Sequence, residues 1–277
     1  MIPVADGHLH SNPVRGIGAE EIAERFRRSG GWFMALVSLP PSSYELDLPT
    51  LEAYSKVIEH QVKECKKVRG VKAVCLAGFH PADVDRLIDQ HRLDPMSVLL
   101  LAYRVLSLVE DRLKRGELHG IGEVGRQHYK TSAARALLSQ LILERAMEIS
   151  RDLGVPVHMH LEQEGEITVH LVDLSAKRVG AREELLVFHH ADPKVAKEAT
   201  ARGYAATLHG APRLMEHAMK SLEPNFVFES DYVDDARRPS AIGPWSLAEQ
   251  MSQYKEEEKL YKINVDNVVK LYGVEPP

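Results

Sequence analysis

Hydrophobic residues in this chain are concentrated in short runs, rich in β-branched and aromatic side chains, that recur between the N-terminus and residue 231. Runs of this length and content are typical of β-strands. We therefore predict eight strands, at residues 3–10, 31–39, 72–80, 118–125, 155–161, 184–190, 204–209 and 225–231.

The segments between these runs place apolar residues three and four positions apart, as an amphipathic helix does. Strands that alternate with helices favour a parallel sheet with right-handed crossovers. Eight such units are the number found in a (β/α)8 TIM barrel, which typically uses about 250 residues. Helices are predicted at residues 19–29, 51–68, 95–115, 132–153, 192–202 and 211–221, with a weaker pattern at 165–178.

One barrel domain spanning residues 1–277 accounts for the whole pattern. The pattern at residues 246–274 predicts helices that close the barrel, and Gly273 is expected to end the last of them. Two mononucleotide-binding halves would also alternate strands with helices. However, no glycine-rich phosphate loop follows the first run, which disfavours a dinucleotide-binding fold.

Composition narrows the class of protein only a little. Apolar residues make up 44% of the chain and charged residues 27%, which is ordinary for a soluble domain. The formal net charge of -5 gives no general attraction to polyanions. Nucleic-acid binding would therefore need a local basic patch.

The two cysteines, Cys65 and Cys75, have neither CxxC nor zinc-finger spacing. We therefore expect free thiols in a reducing compartment, with the cytoplasm as the default location. The N-terminus lacks a basic and then apolar leader, and no long uncharged apolar stretch occurs. These features predict neither export nor membrane insertion, and no obligate protein partner is evident.

The first run contains "VADGHLH", residues 4–10, which places an acid and two imidazoles in one short segment. Side chains alternate along a strand, so Asp6, His8 and His10 share a face, with the two histidines about 7 Å apart. The alternative is a polar surface run. The apolar neighbours favour a buried strand that can present both imidazoles to one cation.

Other metal-capable side chains also fall near the C-terminal ends of predicted strands, where barrel enzymes carry their active sites. His158 is expected one layer deeper than His160. His189 and His190 point to opposite faces of a strand, so at most one should look inward, and geometry alone does not choose between them. The set comprises His8, His10, Glu123, His158, His160, His189, His190 and Asp231.

The two acids in this set have alternative interpretations. Glu123 lies in the apolar run "GIGEVG" and needs either a cation or a buried partner such as Arg126. Asp231 ends the run "NFVFESD" and could instead cap a helix or anchor a loop. We favour the functional interpretation for both.

Three residues near the predicted mouth are candidates for substrate binding. His80, in "GFHPAD", is either a substrate-side imidazole or part of the turn before Pro81. Arg126 and His128 follow Glu123 and could contact an anionic group, or could belong to a solvated loop. His209 ends the seventh strand and is more simply explained as structural.

Together these motifs resemble the TatD-like metal-dependent hydrolases of the amidohydrolase superfamily. The resemblance spans nearly the whole chain and rests on "DGHLH", "GFHPAD", "GEVG", "PVHMH", "FHH" and "ESD". Alignment of "LLVFHHADPKV" with the archaeal-looking branch of the family favours His190 over His189. The resemblance implies a metal-ligand set that consists of His8, His10, Glu123, His160, His190 and Asp231.

The chain departs from the family pattern at positions on the substrate side. Glu162 stands where many members have arginine, and Arg126 with Gln127 replaces a Leu-Asp pair. Tyr232 and Val233 follow the closing acid in place of Ser-Pro. Metal chemistry is therefore a firmer expectation than the deoxyribonuclease activity in the family name.

We expect a binuclear site for zinc, manganese or magnesium, with Glu123 as the bridge and Asp231 as proton acceptor. The leading hypothesis is a metal-dependent phosphoesterase or deoxyribonuclease acting on a small phosphoester or on nucleic acid. One alternative is an amidohydrolase, lactonase or phosphotriesterase that uses the same metals. Another is a barrel that binds metal without catalysis.

Overall fold

The computed structural model describes residues 2–237 and 242–277, and nine parallel strands form one curled sheet in it. Each predicted run contains one strand, and a short ninth strand follows the last run. The sheet order is β8-β7-β6-β5-β4-β3-β2-β1-β9. The strands are β1 Val4–His10, β2 Gly31–Val37, β3 Lys72–Ala77, β4 Gly120–Gly125, β5 Val157–His160, β6 Leu186–Phe188, β7 Ala205–His209, β8 Val227–Glu229 and β9 Tyr232–Val233.

The sheet closes on itself where the end of the eighth unit meets the first strand. The backbone N–H of Asp231 donates to the carbonyl of His8 at 3.0 Å. Immediately afterwards β9 runs parallel to β1, with Tyr232 opposite Leu9. The (β/α)8 TIM barrel is therefore confirmed.

Helices connect successive strands and cover the outside of the barrel. Each predicted helix is present within one or two residues of its expected bounds, including the one at 165–178. Within the described residues, no helix combines the length and apolarity that a bilayer crossing would require. The helices are α1 Gly18–Arg28, α2 Leu51–Lys67, α3 Pro81–Asp89, α4 Pro95–Lys114, α5 Ala133–Leu153, α6 Glu166–Val179, α7 Pro193–Ala201, α8 Pro212–Ser221, α9 Pro244–Met251, α10 Glu257–Tyr261 and α11 Asn267–Tyr272.

Helix α3 was not among the predicted helices. Pro81 occupies its first turn, where the missing N–H costs nothing. His80 caps it, because its Nδ1 accepts a hydrogen bond from the N–H of Ala82 at 3.1 Å. The "HP" pair, one interpretation of which was a turn, therefore starts a helix at the mouth of the barrel.

The C-terminal segment closes the end of the barrel at which the strands begin, as predicted. The indole N–H of Trp32 donates to the Asn264 carbonyl at 2.9 Å, and Oδ1 of Asn264 accepts the N–H of Ala5 at 3.0 Å. Helix α11 ends at Gly273, which has φ 63°. The opposite end, where the strands finish, stays open.

The expectation of free thiols is wrong, because Cys65 and Cys75 form a disulfide. Cys65 lies in the last turn of α2, which packs against β3, and the two Cα atoms are 6.1 Å apart. That separation is suitable for a disulfide. Spacing along the sequence could not reveal this packing. The two cysteines therefore do not indicate a reducing compartment.

Candidate metal centre

Strand β1 delivers two buried imidazoles to the open end of the barrel. The rings of His8 and His10 lie 4.9 Å apart, centroid to centroid. Nδ1 of His10 is 2.9 Å from the carbonyl oxygen of Val37, which can only accept, so Nδ1 carries the proton. Neutral His10 therefore presents a bare Nε2 lone pair to the mouth.

The carboxylate of Glu123 lies between imidazoles on two sides. Its Oε1 faces Nε2 of His8 at 3.4 Å and Nε2 of His10 at 3.3 Å. Its Oε2 lies 2.8 Å from Nδ1 of His160 and 3.2 Å from Nε2 of His80. Burial raises the pKa of Glu123, but the neighbouring imidazoles of His80, His160 and His8 outweigh this effect, so the pKa of Glu123 is well below its usual value.

Two glycines allow β4 to bring Glu123 this close to its neighbours. A Cβ on Gly78 would overlap the backbone carbonyl of Glu123. Gly125 has φ 145°, and a Cβ there would overlap the carbonyl of His160. The spacing of glycines in "GFHP" and "GEVG" thus reflects close backbone packing around the carboxylate.

The expectation that only one of His189 and His190 looks inward is wrong. Strand β6 ends at Phe188, so the alternation of a strand does not extend to the two histidines. His190 has φ 41°, and its ring lies 4.4 Å from that of His189. Nε2 of His190 is 3.2 Å from Nδ1 of His160. Both rings therefore reach the mouth.

Glu229 on β8 orients His189, a role that the sequence analysis missed. Oε2 of the buried Glu229 lies 2.9 Å from Nδ1 of His189. Nε2 of His189 then points toward Glu123 and Asp231, at 3.9 Å from an oxygen of each. A carboxylate behind an imidazole is a common support for a metal-binding histidine. Glu229 could have been noticed as a second acid on the same strand face as Asp231.

Asp231 lies at the rim, just after β8 ends. It has φ 48°, and its side chain is 34% exposed. Its Oδ1 is 3.5 Å from Nε2 of His10. Burial raises the pKa of Asp231, but the neighbouring imidazoles of His10 and His8 lower it by more, so the pKa lies below its usual value and this carboxyl is ionised.

Asp6 shares the face of the two β1 histidines but contacts the backbone instead of the mouth. Its Oδ1 accepts the N–H of Ser230 at 2.9 Å and that of His8 at 3.3 Å. Burial raises its pKa to about 7. Asp6 therefore ties β1 to the end of β8.

His158 lies one layer below the mouth, where the sequence analysis expected it. Its Nδ1 is 2.9 Å from Nδ1 of His8, and its Nε2 is 2.7 Å from Oη of Tyr272. His8 and His158 are buried, and Tyr272 is partly buried. His158 thus connects a mouth histidine with the C-terminal helix.

Among the three substrate-binding candidates, His80 and His128 lie at the mouth. Nδ1 of His80 accepts from Ala82, so its neutral form carries the proton on Nε2, which faces Glu123. The ring of His128 lies 4.5 Å from that of His160 and 5.5 Å from that of His190. His80 is therefore a hydrogen-bond donor to the carboxylate.

Arg126 does not present a free guanidinium to the mouth. Its Nε and Nη2 donate to Glu162 at 2.9 and 2.5 Å, and its Nη1 donates to Gln140 at 2.6 Å. The guanidinium is buried, so the solvated-loop interpretation is also wrong. The unusual Glu162 and the unusual Arg126 thus complement each other.

The donor set fits a divalent metal. Nε2 of His8 is buried without a hydrogen-bond partner among the described residues. Imidazole and carboxylate donors without thiolate suit zinc, manganese, magnesium or iron. Four overlapping trios have donor atoms within 4.8 Å of one another: His8–Glu123–His189, His8–His10–Asp231, His80–Glu123–His160 and His128–His160–His190.

A cavity of about 480 Å³ extends from this cluster along the loop after β2 and the first turns of α3. Arg86 is the cationic residue that lines it among the described residues. Its guanidinium contacts the carboxylates of Asp47 and Asp83. The cavity thus offers small-molecule space without an unpaired basic side chain.

Comparison with known proteins agrees with this geometry. The family model described as "TatD related DNase" matches residues 5–273. The uncharacterized protein MJ1127 of Methanocaldococcus jannaschii is 30% identical over 284 residues, covering 99% of this chain and 97% of that protein. The chain belongs to the TatD-related family. Membership makes it a metal-dependent hydrolase, and no substrate follows from that.

Solved structures show the same fold at low sequence identity. The TatD-like protein AF1765 of Archaeoglobus fulgidus matches with a TM-score of 0.66 and 18% identity, covering 98% of this chain and all (100%) of that one. A mutant of a PTE-like lactonase from Deinococcus radiodurans matches with a TM-score of 0.61 and 13% identity, covering 99% and 96%. The TatD-related barrel thus shares its architecture with a lactonase.

Proposed function

We propose that this TatD-related protein is a phosphoesterase that hydrolyses a small phosphoester at a pair of divalent cations. The supporting observation is the position of Glu123, whose two oxygens face separate groups of imidazoles. Oε1 faces His8 and His10, whereas Oε2 faces His160. A carboxylate in this position suits a bridge between two ions.

The residues divide into two ligand groups around that bridge. His8, His10 and Asp231 would hold one ion, and His160 with His190 or His189 would hold the other. When bound, such a pair supplies a hydroxide at neutral pH and neutralises charge on a phosphoryl oxygen.

The remaining chemistry falls to side chains of the protein. Asp231 is ionised, lies at the rim and is partly exposed, so it can orient an attacking water and accept its proton. The Nε2–H of His80 holds the Glu123 carboxylate in place. His128 lies on the exposed side of the cluster, where its imidazole can donate to an anionic substrate oxygen.

The electrostatics of the cavity favour a small phosphoester over a polynucleotide. Proteins that bind nucleic acid contact successive phosphates with lysine and arginine. Arg86, the cationic residue of the described lining, is paired with Asp47 and Asp83. The net charge of -5 adds no long-range attraction.

A lactone or a phosphotriester is the second candidate substrate. The similarity of this barrel to a PTE-like lactonase favours it. The same ions and the same proton acceptor would serve, because both reactions need an activated water and stabilisation of charge on the attacked group.

A side-by-side assay of the zinc- and manganese-loaded protein separates these candidates. The substrates are a chromogenic phosphodiester, a chromogenic phosphotriester, a lactone and a single-stranded oligonucleotide. We expect phosphodiester turnover to dominate and to change little with salt, whereas polynucleotide binding falls steeply with salt. Turnover of only the lactone or the phosphotriester would contradict the phosphoesterase proposal and favour the second candidate. Full metal loading without any turnover would favour a binding barrel.

A further inference from the structure

A chain of three side chains connects the C-terminal helix with a histidine of the mouth. Tyr272, the last residue of α11, reaches His158 with an Oη–Nε2 distance of 2.7 Å. His158 reaches His8 with an Nδ1–Nδ1 distance of 2.9 Å. His8 and His158 have no exposed surface. Solvent therefore cannot replace either hydrogen bond.

One proton lies between Nδ1 of His8 and Nδ1 of His158. The ring that carries this proton determines whether His8 can bind a cation. If Nδ1 of His8 carries it, Nε2 of His8 is a bare lone pair. If Nδ1 of His158 carries it, neutral His8 holds its own proton on Nε2. Only the first form can coordinate a cation through the nitrogen that faces Glu123.

When Nδ1 of His8 carries the proton, the hydrogen bonds of His158 and Tyr272 are also determined. Nδ1 of His158 then accepts a hydrogen bond, so the proton of neutral His158 is on Nε2. That N–H is buried and needs an acceptor, and the hydroxyl of Tyr272 is within reach. We propose that Tyr272 and His158 are positioning residues that hold His8 in the tautomer with a free Nε2.

Removal of the Tyr272 hydroxyl should shift the equilibrium between the two tautomers of His8. With phenylalanine at position 272, the metal-ready form leaves a buried N–H of His158 unpaired, which is unfavourable. In the other tautomer the Tyr272 hydroxyl is the donor to Nε2 of His158, so its removal leaves an unpaired lone pair there, which is tolerated better than an unpaired buried N–H. The proton therefore moves toward the tautomer in which Nε2 of His8 is protonated, and the competing proton weakens cation binding.

The inference rests on the part of the proposed function that makes His8 a metal ligand. Zinc binding is measured directly, by competition with a chromophoric chelator, so activity on any substrate is not needed. Wild-type protein that binds no zinc would refute both proposals. Wild-type protein that binds zinc but hydrolyses nothing would refute only the proposed function.

Tyr272→Phe is the central variant, with Tyr44→Phe as its matched control. Tyr44 is also buried and its hydroxyl also makes hydrogen bonds, to Leu39 and Ser11, but it does not contact an imidazole of the mouth. We expect Tyr272→Phe to weaken one zinc ion by about 10-fold, as loss of a residue supporting a metal ligand does. Tyr44→Phe should bind zinc as the wild type does. Equal zinc affinity in all three proteins would overturn the proposal.

Substitutions of His158 separate orientation from simple packing. His158→Gln offers an amide oxygen to His8 and an amide N–H to Tyr272, so zinc affinity should be close to that of the wild type. His158→Leu fills similar space without either group and should lose at least as much affinity as Tyr272→Phe. Equal affinities for the glutamine and leucine variants would contradict an orienting role.

Nitrogen-15 NMR of histidine-labelled protein gives a direct view of the tautomers. In the zinc-loaded wild type, we expect His158 to be protonated on Nε2 and His8 on Nδ1. The reverse assignment in the loaded protein would refute the proposal even if the variants weaken zinc binding.

Discussion

The two ends of the barrel differ in whether their buried polar groups have hydrogen-bond partners. At the closed end, Asn264 receives the indole N–H of Trp32 on its carbonyl and the N–H of Ala5 on its side chain. At the mouth, Nε2 of His8 is buried without a hydrogen-bond partner among the described residues and faces the Glu123 carboxylate. Buried polar groups normally find partners within the protein, so the mouth is organised around a ligand.

Backbone conformation shows the same contrast. Where the closed end needs a left-handed residue, at the end of α11, the chain uses Gly273 with φ 63°. At the mouth, His190 and Asp231 adopt φ 41° and 48° with full side chains. Such residues cost of order 1–3 kcal/mol each and tend to occur at functional sites. These backbone conformations at the mouth thus lower stability while they position the side chains of His190 and Asp231.

The strongest test of this contrast is to compare Glu123 with a buried glutamate that does not line the mouth. Glu123→Gln should lose at least one metal ion and reduce turnover on the order of 10⁴-fold, because a neutral amide cannot bridge two cations. Glu64→Gln is the control, since buried Glu64 only accepts the N–H of Ala19 and contacts Lys67. It should lower the melting temperature and keep full metal content. Two bound ions in Glu123→Gln, by elemental analysis, would contradict the bridge.

Asp231→Asn should separate proton transfer from metal binding. The amide keeps its size and one oxygen but cannot accept a proton, so kcat should fall by about 10²–10⁴-fold. The imidazole ligands are unchanged, so most of the bound metal should remain. Unchanged kcat at full metal loading would remove Asp231 from the mechanism.

Arg126→Met tests whether this buried cation serves stability or substrate. The partly buried carboxylate of Glu162 would be left without its cation, which costs about 1–3 kcal/mol. KM should change little, because the guanidinium is already fully engaged. Arg135→Met, which breaks a more exposed pair with Asp89, should change stability much less. A large rise in KM with unchanged urea unfolding would show that Arg126 binds substrate.

Cys65→Ser tests how much the disulfide, which is remote from the mouth, contributes to stability. The disulfide closes a loop with a sequence separation of 10, and its loss should lower the free energy of unfolding by about 2–3 kcal/mol. Activity and metal content at a temperature well below the melting point should be unchanged. In a reducing buffer the wild type and the variant should unfold alike, and a persistent difference would point to another role for Cys65.

Local sequence patterns predicted the barrel well, because strands and helices each have their own period and composition. The ninth strand was too short to be recognised. Helix α3 was missed, because the proline at its start is equally compatible with a turn. Both errors involve segments of the mouth, where the chain departs from regular alternation.

The site was predicted less completely than the fold. Alternation correctly placed His8 and His10 together but failed for His189 and His190, since β6 had already ended. Glu229 was overlooked, because its role depends on a histidine forty residues away. The disulfide likewise depends on how α2 packs against β3. Contacts of this kind are tertiary, and no local pattern encodes them.

Anomalous diffraction from crystals of the zinc-loaded protein tests the central claim most directly. The account predicts two peaks about 3.5–4 Å apart, one on each side of the Glu123 carboxylate, with His8 and His10 next to one and His160 next to the other. Peaks located elsewhere, or a fully loaded protein in which Glu123 contacts neither ion, would contradict it.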